Sequence, residues 1–338
     1  MRSYDIHEHG LIGRLWLPHA RRAALDENYR QYPAVLYLGD ASGGLDDASA
    51  TAVAERGFIV FDLLYFGDDA GRVLHSPLPP HLIQIPIEYF GRAFNWLKQQ
   101  PQVDGSRLGI LGYGRGSEAA VLAAVHYEGV NAVILQSPSA VSWVGAGHSG
   151  QSAWTIAGEM VPYLSLSFWE EFSHWWRVQW HSDAVVSSDL YAQALRRLNR
   201  WHSAWLPVEH LQAPILMISG QDDHFWPSST MADLLMKRLR EQRFDYAYHH
   251  RMFPQAGHRF ASTCGTSLAY SQCEQGHTEA MMMPKDRSSL ITFANGGTMA
   301  GNAYAARRSR AEIIAFLQRH LGGGEYYQSH IPWFVVQG

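Results

Sequence analysis

The chain has little cysteine, little lysine and no long apolar run. Its two cysteines, Cys264 and Cys273, are too few for a disulfide framework, so a reduced, cytoplasmic setting is expected. Only three of the 27 basic residues are lysines, and a formal net charge of −4 gives no attraction to nucleic acid or to an anionic membrane. No segment has the pattern of a signal peptide or a membrane span, so neither a membrane nor a nucleic acid is an expected partner.

Histidine, by contrast, is abundant. None of the 18 histidines stands in a metal-binding spacing such as H-E-x-x-H, so neither a metal nor another cofactor is expected. The hydrophobic fraction of 46% and the charged fraction of 17% are those of a globular enzyme and exclude a disordered chain.

Short apolar runs alternate with helical patterns, which is typical of a mostly parallel sheet flanked by helices. We predict strands at 11–17 (an edge strand), 34–38, 58–63, 108–111, 132–135, 215–218 and 246–252. We predict helices at 47–55, 86–98, 115–125 and 308–320. The fold class is therefore α/β.

Residues 139–206 interrupt this alternation, because they show no strand pattern and are rich in tryptophan. Trp169, Phe172, Trp176 and Trp180 recur there at helical spacing. We predict a helical, aromatic-rich lid at 139–206 over the carboxyl ends of the strands, inserted in a core formed by 1–138 and 207–338. Such a lid favours a small-molecule substrate that is bulky and apolar or aromatic.

The turn Gly112-Tyr113-Gly114-Arg115-Gly116 precedes an alanine-rich helix and has two interpretations. The first is the dinucleotide-binding motif G-x-G-x-x-G. It requires a third glycine where Ser117 stands, and an acidic residue after the next strand, where the chain reads Leu135-Gln136-Ser137-Pro138. We favour the second, a nucleophile elbow G-x-Nuc-x-G, in which a tight turn presents one side chain above the sheet.

The other members of a catalytic triad follow in the chain order of an α/β-hydrolase fold. Asp223 ends the stretch Gly220 to Asp223 after a predicted strand, and His258 follows Gly257 after the last core strand. Taken singly, Asp223 could cap the helix after Pro227 and His258 could be an ordinary loop residue. Their register with the elbow assigns both as catalytic residues.

The nucleophile position itself holds Gly114, which has no side chain to form an acyl-enzyme. Ser117 lies one helical turn further, roughly 5 Å along the axis, and is expected to point into helix packing. The expected oxyanion hole consists of the backbone N–H of Arg115 and one from the Asp40–Ala41 loop. Space above Gly114 for a water or a substrate hydroxyl favours direct hydrolysis, elimination or ring closure without a covalent intermediate.

From about residue 11 to 321, the chain resembles the C-terminal catalytic domain of the acyl-CoA thioesterase and bile acid-CoA:amino acid N-acyltransferase family. Dienelactone-hydrolase-like proteins are similar more loosely. The most specific matches are Gly112 to Gly116 with Glu118, the run Gly220 to Ser228, and Ala256-Gly257-His258. The resemblance implies acyl-thioester chemistry with Asp223 as the acid and His258 as the base.

Three features depart from the family pattern. The family carries serine or cysteine where Gly114 stands, its oxyanion loop does not place an aspartate like Asp40 among the glycines, and no segment here matches the N-terminal β-sandwich of the animal enzymes. Three hypotheses follow: an active enzyme that uses His258 and Asp223 non-covalently, a serine or cysteine acyl hydrolase or acyltransferase whose nucleophile was replaced by Gly114, and a non-catalytic ligand-binding protein. Retention of both Asp223 and His258 disfavours the third.

Overall fold

A computed structural model describes residues 2–18, 31–67, 77–145, 150–166, 185–260, 278–282 and 290–322. The strands are β1 Arg2–Glu8, β2 Leu11–Leu17, β3 Tyr32–Leu38, β4 Ile59–Leu64, β5 Ile85–Pro86, β6 Val103–Tyr113, β7 Val130–Gln136, β8 Trp154–Ile156, β9 Glu159–Met160, β10 Ile215–Gly220, β11 Tyr248–Phe253, β12 Thr278–Met282 and β13 Leu290–Ala294. The helices are α1 Asp47–Ala54, α2 Ile87–Lys98, α3 Arg115–His126, α4 Ser188–Leu195, α5 Ser228–Glu241 and α6 Met299–Leu321, with a 3-10 turn at Val208–His210.

The central sheet has eight strands in the order β1-β2-β4-β3-β6-β7-β10-β11. The six strands from β4 to β11 pair in parallel, and β1 and β2 add antiparallel to one side. Helices α1 and α6 cover one face, where they pack on residues such as Val35 and Ile134. Helices α2, α3 and α5 cover the other face, where they pack on residues such as Leu36 and Val133. The protein therefore has the predicted mostly parallel sheet flanked by helices.

One predicted strand forms at the expected residues but does not lie at the edge of the sheet. Residues 11–17 form β2, but β1 pairs along its outer side, so the prediction of an edge strand there is wrong. The connecting residues His9 and Gly10 have φ of +53° and +71°, as in the tight hairpin turns that match strand twist. Only Ile6 is buried in β1, and the strand therefore has no apolar alternation for the sequence to show.

The segment 139–206 contains strands as well as a helix, although no strand was expected there. Strands β8 and β9 form a hairpin that pairs with β5 in a separate three-stranded sheet. The turn residues Ala157 and Gly158 have φ of +51° and +81°. Two-residue and three-residue strands are too short to give a periodic pattern. Helix α4 lies in the same segment, and the lid remains a prediction.

Several residues named above lie outside the described ranges: Trp169, Phe172, Trp176, Trp180, Cys264 and Cys273. Expectations about them therefore remain predictions. Among the helices that the structure describes, none combines the length and apolar composition needed to cross a bilayer.

Candidate active site

The turn between β6 and α3 has the geometry of a nucleophile elbow. Gly114 is its tip, with φ +53° and ψ −118°, and its N–H donates to the carbonyl of Gln136 at 2.9 Å. A Cβ on Gly112 would lie 2.3 Å from the carbonyl oxygen of Gly116, and a Cβ on Gly116 would lie 2.3 Å from that of Leu38. The close approach of these backbones explains why glycine stands at both ends of the motif.

The side chain of Asp40 occupies the place of the missing nucleophile. A Cβ on Gly114 would lie 1.9 Å from Asp40 Oδ1, far inside van der Waals contact, which leaves no room for both groups. Strand β3 is the neighbour of β6, so the loop after β3 passes directly over the elbow. Asp40 Oδ1 accepts a hydrogen bond of 2.8 Å from the backbone N–H of Arg115 at the start of α3. The sequence predicted only a backbone role for Asp40.

Asp223 and His258 are brought together by the adjacent strands β10 and β11. His258 Nδ1 lies 2.9 Å from Asp223 Oδ2. The carboxylate of Asp223 also accepts hydrogen bonds from the N–H groups of Phe225 (3.0 Å) and Trp226 (3.1 Å) and from the hydroxyl of Ser228 (2.6 Å). Asp223 thus holds the imidazole and also closes the turn before α5.

The second ring nitrogen of His258 faces a second carboxylate. Its Nε2 lies 3.1 Å from Asp40 Oδ2, and each of these two side chains is 1% exposed. Ionised carboxylates only accept hydrogen bonds, so both contacts are satisfied when the imidazole carries protons on both nitrogens. Within the described ranges, no group of three or more His, Cys, Asp or Glu side chains is placed to hold a metal ion.

The charges of this cluster reinforce one another. Burial alone lowers the pKa of His258, but Asp223 and Asp40 outweigh it and raise that pKa to about 10. Burial alone raises the pKa of Asp40, but the hydrogen bond and charge of His258 outweigh it and hold that pKa below its usual value. At neutral pH the imidazolium therefore lies between two carboxylates.

The predicted oxyanion donors bind the carboxylate of Asp40. Backbone hydrogen bonds from Arg115 and Ala41 both lower the pKa of Asp40, although less than His258 does. The N-terminus of α3 adds its partial positive charge at the same point. In this structure the anion held by these donors is therefore the protein's own carboxylate.

Aromatic rings surround the imidazole of His258. The ring centroids of Phe225, Tyr113 and Trp226 lie 4.7, 5.5 and 5.7 Å from its centroid. A cation within this range of an aromatic face is stabilised by the ring quadrupole. The hydroxyls of Tyr113 and Ser137 also donate to the carbonyl of His258, at 3.1 and 2.8 Å, which fixes the backbone of the loop.

Two asparagines after β13 hold the histidine loop: Asn295 follows β13 directly, and Asn302 lies in the first turn of α6. The carbonyl of Asn295 accepts from the N–H of His258 at 2.7 Å. Buried Asn302 accepts from the N–H of Gly257 at 2.8 Å and donates to the carbonyl of Gly296 at 3.2 Å. Sequence reasoning missed both, because they stand far along the chain from His258 and belong to no recognised motif. The Gly296–Gly297 pair, which marks a turn, was the only local signal.

A buried ion pair connects the elbow helix to the segment 139–206. Arg115 Nε lies 2.8 Å from Glu118 Oε1, and its guanidinium donates to the carbonyls of Trp143 and Val144. Glu118 Oε2 accepts from the N–H of Trp143 and from the indole of Trp154, at 3.1 and 2.8 Å. Burial raises the pKa of Glu118 to about 7 even though Arg115 opposes that shift.

Two buried serines are poorly placed to act as the nucleophile. Ser117 donates to the carbonyl of Gly114 at 2.6 Å and is fully buried, as the sequence predicted. Ser219 lies 2.7 Å from His250 Nε2, and His250 Nδ1 lies 3.0 Å from Asp233, which imitates the contacts of a triad. Ser219, however, is fully buried inside β10 and is not presented by a strand-to-helix turn.

Comparison with known proteins supports an acyl-CoA-related lineage. Residues 85–323 match the family described as BAAT / Acyl-CoA thioester hydrolase C terminal. Mitochondrial acyl-coenzyme A thioesterase 2 of Homo sapiens is 26% identical over 305 residues, which cover 87% of this chain and 53% of that protein. Acyl-coenzyme A thioesterase 1 of Homo sapiens is also 26% identical, with 61% of its length covered. The chain thus spans little more than half the length of these relatives.

Solved structures share the fold at low sequence identity. A puromycin-hydrolyzing peptidase of Mycobacterium tuberculosis has a TM-score of 0.52 at 16% identity, with 93% of this chain and 37% of that chain covered. An acylaminoacyl peptidase of Pyrococcus horikoshii has a TM-score of 0.52 at 13% identity, with 96% and 42% covered. At such identities the likeness concerns the fold alone, which is that of the α/β-hydrolases.

Proposed function

The chain belongs to the BAAT and acyl-CoA thioester hydrolase C-terminal family, and we propose that it is an enzyme of acyl-carbonyl chemistry that works without a serine or cysteine nucleophile. The proposed substrate is an acyl thioester, or a related ester or lactone. The observation that carries this proposal is the cluster above Gly114, in which Asp223 and Asp40 bind the two ring nitrogens of His258.

The proposed roles follow from the contacts of each residue. His258 transfers protons, and Asp223 holds its imidazole in place and stabilises its charged form. The N–H groups of Arg115 and Ala41 are the oxyanion donors for the substrate whenever the carboxylate of Asp40 leaves them. These roles are the same whether the oxygen that attacks the carbonyl carbon above Gly114 belongs to water or to the protein.

The family supports the choice of a thioester substrate, because the matched relatives are named acyl-coenzyme A thioesterases. We propose that the segment 139–206 covers the site. Trp143 and Trp154, whose rings are fully buried, belong to this segment. This segment reaches the site through Tyr191, which contacts Trp143 and also Phe225 beside His258. A bulky apolar or aromatic acyl group suits such surroundings.

The position of Asp40 bears on the two competing hypotheses. A serine or cysteine at position 114 does not fit beside Asp40 as it stands, so a simple replacement of the nucleophile by glycine leaves the aspartate unexplained. A pure binding protein has no need of a buried imidazolium between two carboxylates, whose desolvation is costly. The arrangement therefore favours an enzyme in which Gly114 and Asp40 belong together.

The test is thiol release from acetyl-, palmitoyl- and benzoyl-CoA by the full chain, followed with a chromogenic thiol reagent. We expect His258→Ala to abolish turnover, because it removes the proton-transferring group. We expect Asp223→Asn to lower kcat by about 10⁴-fold, as loss of the orienting acid does in a serine protease.

His250→Ala is the matched control, because His250 also lies between a hydroxyl and a carboxylate but away from the elbow. It should leave turnover unchanged. Turnover that survives His258→Ala would refute the assignment of the site. Absence of turnover in the unmodified protein with esters and lactones as well would favour the binding protein.

A further inference from the structure

Asp40 has three properties that the proposed proton transfers do not use. One of its oxygens lies in the space that a nucleophile side chain on residue 114 would fill, since Oδ1 is 1.9 Å from the Cβ position of Gly114. Its other oxygen, Oδ2, contacts the same His258 nitrogen that a triad serine would contact. The carboxylate is also almost fully buried, so it is stripped of the water that makes exposed carboxylates weak nucleophiles.

A role for Asp40 as a general base fits less well. An efficient general base has a pKa near the working pH, whereas the pKa of Asp40 is held below its usual value by His258 and the neighbouring N–H groups. A carboxylate nucleophile, by contrast, needs only to be ionised and correctly placed. Asp40 meets both conditions at neutral pH.

We propose that the carboxylate of Asp40 replaces the missing serine as the nucleophile and forms an acyl-aspartyl intermediate during thioester hydrolysis. This inference rests on the proposed function, and it adds the identity of the attacking atom. Because Asp40 has no proton to lose, His258 acts first as an acid and then as a base. In a serine triad the order is the reverse.

In the first step, Asp40 Oδ2 attacks the thioester carbonyl carbon and the bond from that carbon to sulfur breaks. The sulfur leaves with the bonding electron pair and takes the Nε2 proton of His258, which yields the free thiol. The acyl group is now an anhydride on Asp40, and His258 is neutral.

In the second step, a water gives a proton to Nε2 of His258 and its oxygen attacks Cγ of Asp40. Negative charge develops on Oδ1, where the N–H of Arg115 already donates at 2.8 Å and Ala41 also contributes. Collapse releases the acyl group as a carboxylate that carries the former Oδ2. Asp40 keeps one oxygen of the water and loses the extra proton to solvent.

The test is a single turnover in oxygen-18 water with enzyme in excess over the acyl-CoA that is hydrolysed fastest. Mass spectrometry of the digested protein and of the released acid locates the label. We expect one oxygen-18 atom at Asp40 and none in the acid. Label in the acid with none at Asp40, together with no acyl adduct on Asp40 in acid-quenched protein, would show direct attack by water and overturn the inference, while the proposed function would stand. Absence of thiol release from every thioester, with no turnover of esters or lactones either, would overturn both.

A pair of variants separates chemistry from folding. Asp40→Asn keeps the shape of the side chain but removes its charge, and we expect kcat to fall by about 10⁴-fold or more while the melting temperature shows a folded protein. Asp46→Asn is the matched control: the same change in the same loop, at the residue that caps α1 through the N–H of Ser49. It should leave both the rate and the labelling of Asp40 unchanged.

Discussion

The side chain of Asp40 fills the space that a side chain on residue 114 would need, because a Cβ on residue 114 would lie 1.9 Å from Asp40 Oδ1. The absence of a side chain at the elbow therefore makes room for a carboxylate from the neighbouring loop. That carboxylate binds Nε2 of His258, which an elbow nucleophile would otherwise contact, and it also binds the N–H of Arg115. The two positions are expected to be energetically coupled.

The first prediction tests that coupling. Gly114→Ala should destabilise the protein, because the added Cβ must displace Asp40 and because residue 114 has a φ of +53°. The second substitution Asp40→Gly should recover the part of the loss due to displacement, about 1–3 kcal/mol of interaction energy. Unfolding in urea of the two single variants and the double variant measures it.

Gly10→Ala separates backbone strain from the clash. Gly10 has a φ of +71°, but nothing lies within 4 Å of the Cβ position. It should show the cost of strain alone, of order 1–3 kcal/mol, and no coupling to Asp40→Gly. Single-variant effects at 114 and 40 that add to within about 0.5 kcal/mol would contradict a shared volume.

The second prediction concerns the pH dependence of stability. The pKa of His258 is raised to about 10 in the folded protein, mainly by Asp223 and Asp40 against the effect of burial, and is about 6.5 in an unfolded chain. Below the unfolded value both states are protonated and the stabilisation is fully present. As pH rises from about 6.5 to about 10, only the unfolded state loses its proton, so the stabilisation is lost at up to about 1.4 kcal/mol per pH unit.

The variant His258→Gln isolates this contribution. The difference in unfolding free energy between the unmodified protein and His258→Gln should shrink steadily between pH 7 and pH 10. Other histidines such as His249 and His320 have lowered pKa values, because of burial and nearby positive charge, and they affect both proteins equally. A difference that stays constant over this pH range would show that His258 is neutral in the folded protein.

The fold was largely predictable because its strands are buried on both faces. Such strands read as continuous runs of Val, Ile and Leu, as in 132–135 and 215–218, and the structure places β7 and β10 there. Strand β1 was not predictable, because seven residues with only Ile6 buried carry no pattern. Helix α6 begins nine residues before the predicted 308. The prediction missed its first turns because they are rich in alanine and are not amphipathic.

The candidate site was predictable only where it lies in local motifs. Asp223 and His258 follow recognisable strands, and the structure brings them within 2.9 Å. The position of the Asp40 side chain was not predictable, because it depends on the pairing of β3 with β6. In the chain, 64 residues lie between these two strands. A sequence motif reports neighbours in the chain, whereas this contact is made by neighbours in the sheet.

The third prediction concerns active-site labelling. A fluorophosphonate probe should leave the protein unmodified, because Ser117 and Ser219 are fully buried and already hydrogen-bonded. The double substitution Asp40→Gly with Gly114→Ser should gain labelling, since it frees the space and places a hydroxyl beside His258. Intact-mass spectrometry provides the measurement. Stoichiometric labelling of the unmodified protein at Ser117, Ser219 or Cys264 would contradict the absence of a serine or cysteine nucleophile.

The fourth prediction concerns Asn302, which joins the histidine loop to the turn after β13. Asn302→Ala leaves the N–H of Gly257 and the carbonyl of Gly296 without these bonds, and should cost about 1–3 kcal/mol of unfolding free energy. It should also lower kcat, by up to about 10²-fold, because a displacement of His258 by about 1 Å disturbs the alignment of the reacting groups.

Asn131→Ala is the matched control, since Asn131 likewise accepts from a backbone N–H, that of Leu108, but at the opposite end of the sheet from the elbow. It should lose stability without loss of kcat per folded molecule. If both variants lower kcat equally, Asn302 is a structural residue that plays no part in positioning His258.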